Sequence, residues 1–168
     1  MLSEKLLNAL NDQVNYEFES AHYYLALAAY CGDQDLDGFA TFFVVQAEEE
    51  RFHAMKFYNY INEMDGRVLL TTMKEPKNEF DSVVDAFEYA LNHEKSVTKR
   101  IYNLMDLANE EREHATISIL KWFIDEQVEE EASMKGIIKK LKRLGDHSHG
   151  IFMLDQELGQ RTFIPPVK

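Results

Sequence analysis

The amino-acid sequence predicts an all-α fold: a four-helix bundle with a long crossover between its second and third helices and a short fifth helix at the C-terminus. Apolar residues recur at alternating spacings of three and four along four long segments, as they do on helices that pack in a bundle. No segment shows the alternation of apolar and polar residues typical of a half-buried strand. The chain is interpreted as a single domain, 1–168, with the bundle at about 3–144, the fifth helix at about 150–159 and a tail at 160–168.

The first helix is predicted from about Ser3 to Tyr30, with its end at Gly32. One residue of its core-facing seam, Glu17, is charged. The seam consists of Leu7, Leu10, Val14, Glu17, Ala21, Tyr24 and Ala28. A carboxylate in an otherwise apolar line needs a compensating partner, because burying an isolated charge is costly.

The second helix, about Leu36 to Met64, carries Glu50 and His53 on its seam. Residues three positions apart share one face of a helix, so both side chains could bind one metal ion. The seam consists of Phe39, Phe43, Gln46, Glu50, His53, Phe57, Tyr60 and Met64. The pair is therefore expected in the core and not on the solvent face.

Residues 65–79, with Pro76 among them, show no helical period. This stretch is too long for a tight turn and suits a crossover that lets consecutive helices of a bundle run parallel. The third helix follows at about Phe80 to Ala108, and Glu94 interrupts its seam. The seam consists of Phe87, Ala90, Glu94, Val97, Ile101, Leu104 and Ala108.

The fourth helix, about Ala115 to Leu144, carries a second polar pair three residues apart, Gln127 and Glu130. Its seam consists of Thr116, Leu120, Phe123, Gln127, Glu130, Met134, Ile137, Leu141 and Leu144. After a break at 145–150, the apolar residues of 151–158 predict the short fifth helix.

Two short motifs resemble metal sites and are rejected. The linker 33–38 begins as a calcium loop does, but Val44 stands where the closing glutamate ligand belongs. It is interpreted as a turn and helix N-cap. His93-Glu94 begins a zinc-protease motif, but Val97 occupies the position of the second histidine.

Composition excludes several classes of function. The net charge of −12 disfavours nucleic acid and membranes as partners, because a binder of phosphates needs a cationic face. The first residues do not form a signal peptide and no run is as long as a membrane span, so a cytoplasmic location is expected. The single cysteine, Cys31, cannot form an internal disulfide and is interpreted as an ordinary thiol near a helix end. His147 and His149 are interpreted as exposed loop histidines.

The polar residues of the four seams all fall near the middle of their helices. In an up-down bundle the middles meet, so these side chains should converge at one height; they are Glu17, Glu50, His53, Glu94, Gln127 and Glu130. No lysine or arginine lies in any seam, and uncompensated buried carboxylates are costly. Two divalent cations would balance the four carboxylates, and oxygen ligands with one imidazole suit iron or manganese.

The chain resembles the bacterial non-haem ferritins over nearly its whole length. The matching features, in order along the chain, are Glu17, Tyr24, Glu49-Glu50-x-x-His53, the crossover, Glu94 and Trp122-Phe123-x-x-Glu126-Gln127-x-Glu129-Glu130-Glu131. Ferritin-like bundles are themselves the standard example of carboxylate metal sites built between facing helices.

The resemblance implies a ferroxidase, an iron storage protein that oxidises Fe(II) to Fe(III) with O2 or H2O2 and deposits ferric mineral inside a cage. That cage would be a homo-oligomer of twenty-four subunits. Carried over by position, Glu17, Glu50 and His53 would bind the first iron. Glu50, Glu94 and Glu130 would bind the second, so Glu50 would bridge the pair.

The resemblance also implies roles for neighbouring residues. Gln127 would lie beside the di-iron centre, and Tyr24 would hydrogen-bond to the centre and donate an electron. A third iron site would be formed by Glu49, Glu126 and Glu129.

Departures from related families narrow the interpretation. Haem-binding bacterioferritins place a methionine just after the bridging glutamate, and Arg51 stands there, so no haem is expected. Gln127 and Glu130 replace the second Glu-x-x-His pair of di-iron oxygenases, which should leave the second iron loosely bound and able to move on. Two alternatives stay open: a non-catalytic helical assembly that binds cations, and a related di-iron peroxidase or oxygenase.

Overall fold

The computed structural model describes residues 2–166, and in that range every regular element is a helix. The helices are α1 (Glu4–Asp33), α2 (Asp37–Glu63), α3 (Val83–Glu110), α4 (His114–Leu144) and α5 (Ser148–Leu158). The predicted all-α bundle with a crossover and a short fifth helix is therefore confirmed. None of these helices is both long and apolar enough to cross a membrane.

α1 and α3 end two or three residues later than predicted, whereas the ends of α2 and α4 agree with the prediction to within one residue. α1 continues through Gly32, because the left-handed conformation that stops it is adopted by Asp35 at φ 56°. Asp65 and Arg112 take the same conformation after α2 and α3. Only α4 ends at a left-handed glycine, Gly145 at φ 54°. Among the four bundle helices, α4 is therefore the one whose end is marked by a glycine in the sequence.

The linker 33–38 is a turn, but the predicted side-chain cap on α2 is wrong. Leu36 is the N-cap residue and provides no side-chain hydrogen bond. Instead the Phe39 N–H donates to Asp155 Oδ1 on α5 at 2.9 Å. A Cβ at Gly38 would lie 1.7 Å from the Asp155 carbonyl oxygen, so this glycine is required by the packing of α5 on α2.

Two apolar clusters occupy the two ends of the bundle. The Phe43 cluster contains the end of α1, the beginnings of α2 and α3 and the end of α4; among its members are Tyr24, Leu27, Phe39, Phe43, Phe87, Met134 and Leu141. The Phe57 cluster contains the opposite ends of the same helices; among its members are Leu6, Leu10, Phe57, Ile61, Ile101, Leu120 and Phe123. α2 and α3 both run from the Phe43 cluster to the Phe57 cluster, so they are parallel, as the crossover predicts.

The crossover packs along α1 and forms hydrogen bonds with its side chains. Asn11 and Asn15 each accept a backbone N–H and donate to a backbone carbonyl within 67–71, at distances of 2.7 to 3.0 Å. Glu19 accepts from the Lys74 N–H at 3.0 Å. These three α1 residues are spaced by four, so they share one face of the helix.

The structure also shows the surroundings of Cys31, of two histidines near α5, and the start of α5 itself. Cys31 is a free thiol near the end of α1, fully buried, and its burial together with Asp155 raises its pKa to about 12. His147 and His149 are exposed, as predicted, but the prediction that they lie in a loop is wrong for His149, which is in the first turn of α5, with His147 as the N-cap. α5 begins earlier than predicted because the chain turns at Gly145 and helical hydrogen bonding resumes from His147.

Candidate metal centre

A layer of polar side chains separates the two apolar clusters, and every bundle helix contributes to it at mid-length. Each of these side chains is buried, with at most 7% of its surface exposed. They are Glu17 on α1, Glu50 and His53 on α2, Glu94 on α3, and Gln127 and Glu130 on α4. The structure thus places together all six residues that the seam pattern singled out.

The first half of the layer is formed by Glu17, Glu50 and His53. One potential ligand atom from each lies within 4.8 Å of the others. His53 Nδ1 is 3.6 Å from Glu50 Oε2. Within residues 2–166, neither Glu17 Oε2 nor Glu50 Oε2 has a hydrogen-bond partner, although both are buried. Buried carboxylate oxygens without partners are costly, so this half fits a cation.

The second half of the layer, Glu94, Gln127 and Glu130, is linked by internal hydrogen bonds. The Tyr24 hydroxyl donates to Glu94 Oε1. Gln127 Nε2 donates to Glu94 Oε2 at 3.1 Å. Glu130 Oε2 accepts from Gln46 Nε2 at 2.6 Å. Both carboxylates of this half therefore accept hydrogen bonds from the protein. A metal ion would have to displace these donors or bind without displacing them.

Burial raises the pKa of all four carboxyl groups in the layer, and mutual repulsion raises it further. After burial, the main cause is Glu50 for Glu17, Glu94 for Glu50, and Glu50 for Glu130. The pKa of Glu94 rises to about 8, through burial and then Glu130. Without a cation the layer therefore holds protons near neutral pH, and a bound divalent ion would release them.

The pKa of His53 is raised, whereas burial usually lowers the pKa of a histidine. Burial by itself lowers the imidazole pKa, but contacts with Glu126 and Glu50 outweigh this and raise it well above its usual value. Its Nε2 lies 3.9 Å from Glu126 Oε2. As a metal ligand this histidine would have to be neutral, so binding would also release its proton.

The carboxylates expected at a third iron site are less closely grouped. Glu49 Oε2 lies 2.6 Å from Arg161 Nη2, Glu126 faces His53, and Glu129 is exposed. Within residues 2–166, the only group of three ligand atoms within 4.8 Å of one another is the one in the first half of the layer. The third site stays a prediction.

Several residues that contact the layer were not predicted to have a role. Gln13 Nε2 donates to Glu17 Oε1 at 2.7 Å, and its own Oε1 accepts from Arg100 Nε at 3.0 Å. Gln46 and Arg161 form a similar chain to Glu130. Gln46 was visible as a polar seam residue one turn before Glu50, whereas Arg161 follows the last helix and no periodicity marks it.

His93, rejected as a zinc ligand, is partly buried among aromatic rings. It stacks on Tyr16 with ring centroids 5.5 Å apart, and its Nε2 is 2.7 Å from Ser20 Oγ. Val97 belongs to the Phe57 cluster. The environment of His93 is that of a packed, hydrogen-bonded histidine.

Four long helices around a buried group of carboxylates and histidine define the class of helical bundles that hold paired metal ions between facing helices. The profile of the ferritin family, described as a ferritin-like domain, matches residues 7–144. The chain belongs to this family.

Similar proteins agree with this assignment. The chain is 50% identical over 163 residues to a bacterial non-heme ferritin of Staphylococcus saprophyticus, covering 97% of this chain and 98% of the relative. It is 48% identical to a bacterial non-heme ferritin of Staphylococcus aureus strain MRSA252 over the same shares. An Archaeoglobus fulgidus ferritin engineered into a closed form has a TM-score of 0.96 at 43% identity, covering 98% of this chain and 100% of that one. A humanized archaeal ferritin has a TM-score of 0.97 at 42% identity, with the same coverage.

Proposed function

We propose that the protein stores iron: it oxidises Fe(II) to Fe(III) at the polar layer and deposits the ferric product inside a cage of identical subunits. The observation that carries this proposal is the pair of buried, unpartnered oxygens on Glu17 and Glu50 beside His53. Bacterial non-heme ferritins at about half identity support the same function.

In this proposal iron is the substrate, and the two halves of the layer bind it differently. The first Fe(II) binds Glu17, Glu50 and His53. The second binds Glu94 and Glu130, with Glu50 shared between the two ions and Gln127 beside them. Burial and mutual repulsion make the metal-free carboxyls hold protons, so each Fe(II) displaces protons as it enters.

Oxidation removes one electron from each Fe(II), and O2 or H2O2 accepts them. Carboxylates are hard oxygen ligands that suit the ferric ion, so the layer favours the oxidised state. The Tyr24 hydroxyl donates to Glu94, which positions this residue to supply a further electron. Its pKa lies well above the usual value through burial and Glu94, so it stays protonated in the resting protein.

A cage requires surfaces that pack between subunits. The crossover exposes Leu69, Leu70 and Met73 by 51%, 63% and 54%, and Leu25 on α1 is 49% exposed. Large apolar side chains left exposed on a single subunit are candidates for burial between subunits. We propose a twenty-four-subunit assembly in the cytoplasm, and size-exclusion chromatography separates that assembly from a small oligomer in one run.

The proposed activity is tested by adding Fe(II) aerobically to the purified protein and following ferric absorbance by stopped flow. We expect rapid oxidation followed by a dense mineral core in electron micrographs. Glu50→Ala and His53→Ala should slow the oxidation sharply, while Lys140→Gln, on the exposed surface of α4, should not. Cation binding with no oxidation above that in buffer would favour the non-catalytic alternative. Oxidised iron that stays in the centre and never reaches a mineral would favour a di-iron peroxidase or oxygenase.

A further inference from the structure

The segment after α5 returns to the bundle, and Arg161 is the residue that contacts the polar layer. Its Nη2 lies 2.6 Å from Glu49 Oε2, and its Nη1 donates to Gln46 Oε1 at 2.9 Å. The guanidinium also lies over the Phe42 ring, 4.4 Å from the centroid. Phe163 packs against Phe52 with ring centroids 6.3 Å apart, so the segment has a second anchor on α2.

The contact with Gln46 fixes the direction of a buried amide. A guanidinium has only donors, so the Gln46 oxygen must face Arg161 and the amide nitrogen must face the other way. On that other side lies Glu130 Oε2, which accepts from Gln46 Nε2 at 2.6 Å. Gln46 is fully buried, so its amide cannot turn toward water instead. Arg161 thereby determines that one oxygen of Glu130 receives a protein donor.

The contact with Glu49 supplies a positive charge at a carboxylate beside the metal centre. Arginine and carboxylate form strong, charge-assisted hydrogen bonds, and here the two side chains are only 23% and 27% exposed. A metal ion that used Glu49 as a ligand would have to displace the guanidinium. Glu126 and Glu129 alone would leave such an ion with fewer carboxylates than the resemblance implies.

We propose that Arg161 is a positioning residue with two effects: it competes with metal ions for Glu49, and it directs Glu130 through Gln46. The first effect limits occupancy of an outer metal site, and the second leaves a single Glu130 oxygen free for the inner pair. This inference rests on one part of the proposed function, namely that metal ions bind in the polar layer. The chain thus carries its own counter-ion at the place where an outer iron would bind.

The test is an anaerobic titration of the metal-free assembled protein with Co(II), followed by visible absorbance and calorimetry. In the unaltered protein we expect tight binding at the inner pair and weak binding at Glu49. Arg161→Gln should tighten the weak step by about tenfold, the size expected for removing one charge-assisted contact. Arg161→Lys keeps a charge but lacks the planar fork, so the tightening should be smaller.

Matched variants separate this effect from general changes in the protein. Lys140→Gln removes another cation near the C-terminal end, paired with Glu157 at 2.6 Å, and should leave every step unchanged. In Glu49→Gln the weak step should be lost, and adding Arg161→Gln should not restore it. Gln46→Leu breaks only the branch to Glu130, so it should change the inner pair and leave the weak step as it is.

An unchanged weak step in Arg161→Gln would overturn the inference, as would equal tightening in Lys140→Gln. If Arg161→Gln does not assemble, Gln46→Leu and Glu49→Gln take its place. Both keep Arg161; the first tests the contact to Glu130 and the second tests the contact to Glu49. Failure of the proposed function has a different signature. In that case the unaltered protein itself would show no tight binding at Glu17, Glu50 and His53.

Discussion

The two halves of the polar layer contain similar carboxylates in different states of hydrogen bonding. In the first half, Glu17 Oε2 and Glu50 Oε2 lack partners within residues 2–166 and face an imidazole. In the second half, Glu94 and Glu130 each accept hydrogen bonds from tyrosine or amide donors. The first half therefore offers a cation two buried oxygens without partners, although Glu17 Oε1 accepts from Gln13. In the second half both oxygens of Glu94 have protein donors, which a metal ion would have to displace.

This difference fits a centre that binds iron in sequence and passes it on. A preorganised ligand set loses little on binding, because its groups are already desolvated and oriented. A site that gives up hydrogen bonds binds more weakly and releases its ion more readily. We therefore expect iron to enter tightly at the first half and to leave from the second.

The largest effect is expected for Glu50→Ala, which removes the carboxylate placed between the halves. Iron oxidation should fall to the rate measured in buffer, because both metal positions lose a ligand. Stopped-flow absorbance after Fe(II) addition measures this rate. In Glu130→Ala only the second position loses a ligand, so one tight metal equivalent should persist in an anaerobic titration. Equal loss of both equivalents in Glu130→Ala would remove the distinction between the halves.

A large pH effect is expected on the stability of the metal-free protein. Glu94 has a folded-state pKa of about 8 against an ordinary value of 4.5, so between these values the folded state keeps a proton that the unfolded chain has lost. The free energy of unfolding should therefore decrease as pH rises through this window, by up to about 1.4 kcal/mol per pH unit for this group. Thermal unfolding in chelator from pH 5 to pH 8 measures the slope.

Glu94→Gln should reduce that slope by the share of one group, since the amide imitates the protonated acid at every pH while Glu17, Glu50 and Glu130 keep their raised pKa values. Glu131 on α4 provides the control. Its pKa lies below the ordinary value because Lys135 hydrogen-bonds to it, so it is ionised in both states across the window. Glu131→Gln should leave the slope unchanged. A slope that is the same in Glu94→Gln as in the unaltered protein would show that Glu94 does not hold a proton in this window.

An intermediate effect is expected when the second half is made to resemble the first. The double variant Gln127→Glu with Glu130→His creates a second Glu-x-x-His pair on α4. Ferric ions should then stay in the centre, with retention increased by up to about a hundredfold, the upper end of the change typical of altered metal-site surroundings. The measurement is iron per subunit after oxidation and gel filtration. Unchanged release would show that Gln127 and Glu130 do not set iron retention.

The smallest effect is expected for Tyr24→Phe, which removes the hydroxyl that donates to Glu94 Oε1. Outer donors orient metal-binding carboxylates, so Co(II) affinity of the second half should fall by about tenfold. The first half should bind as before. Tyr23→Phe is the matched control, because its hydroxyl contacts Glu19 outside the layer. A loss confined to the first half would reverse the roles assigned to the two halves.

The sequence was sufficient to predict the layer because two regular patterns overlap. Helical periodicity assigned each polar residue to a core face, and similar helix lengths brought Glu17, Glu50, Glu94 and Glu130 to one height. The crossover followed from the absence of a period and correctly implied that α2 and α3 are parallel. These inferences depend on spacing alone, which a sequence displays directly.

The sequence could not predict which oxygens have partners. Whether Glu50 Oε2 is satisfied depends on rotamers and on side chains from other helices. Arg161 reaches Glu49 across 112 positions of sequence, from a segment without periodicity. The end of α1 was also imprecise, because the left-handed turn residue there is Asp35 and not the expected Gly32. Such features come from tertiary contacts and not from local pattern.

The side chains of α1 that bind the crossover also bear on the order of folding. The crossover, residues 64–82, has no helix or strand, and Asn11, Asn15 and Glu19 supply much of its backbone hydrogen bonding from 54 to 58 positions earlier. Those three side chains share one face only when α1 is helical. The crossover can therefore form these hydrogen bonds only after α1 has folded. Since α1 precedes the crossover in the chain, it is synthesised earlier and can fold before the crossover packs on it.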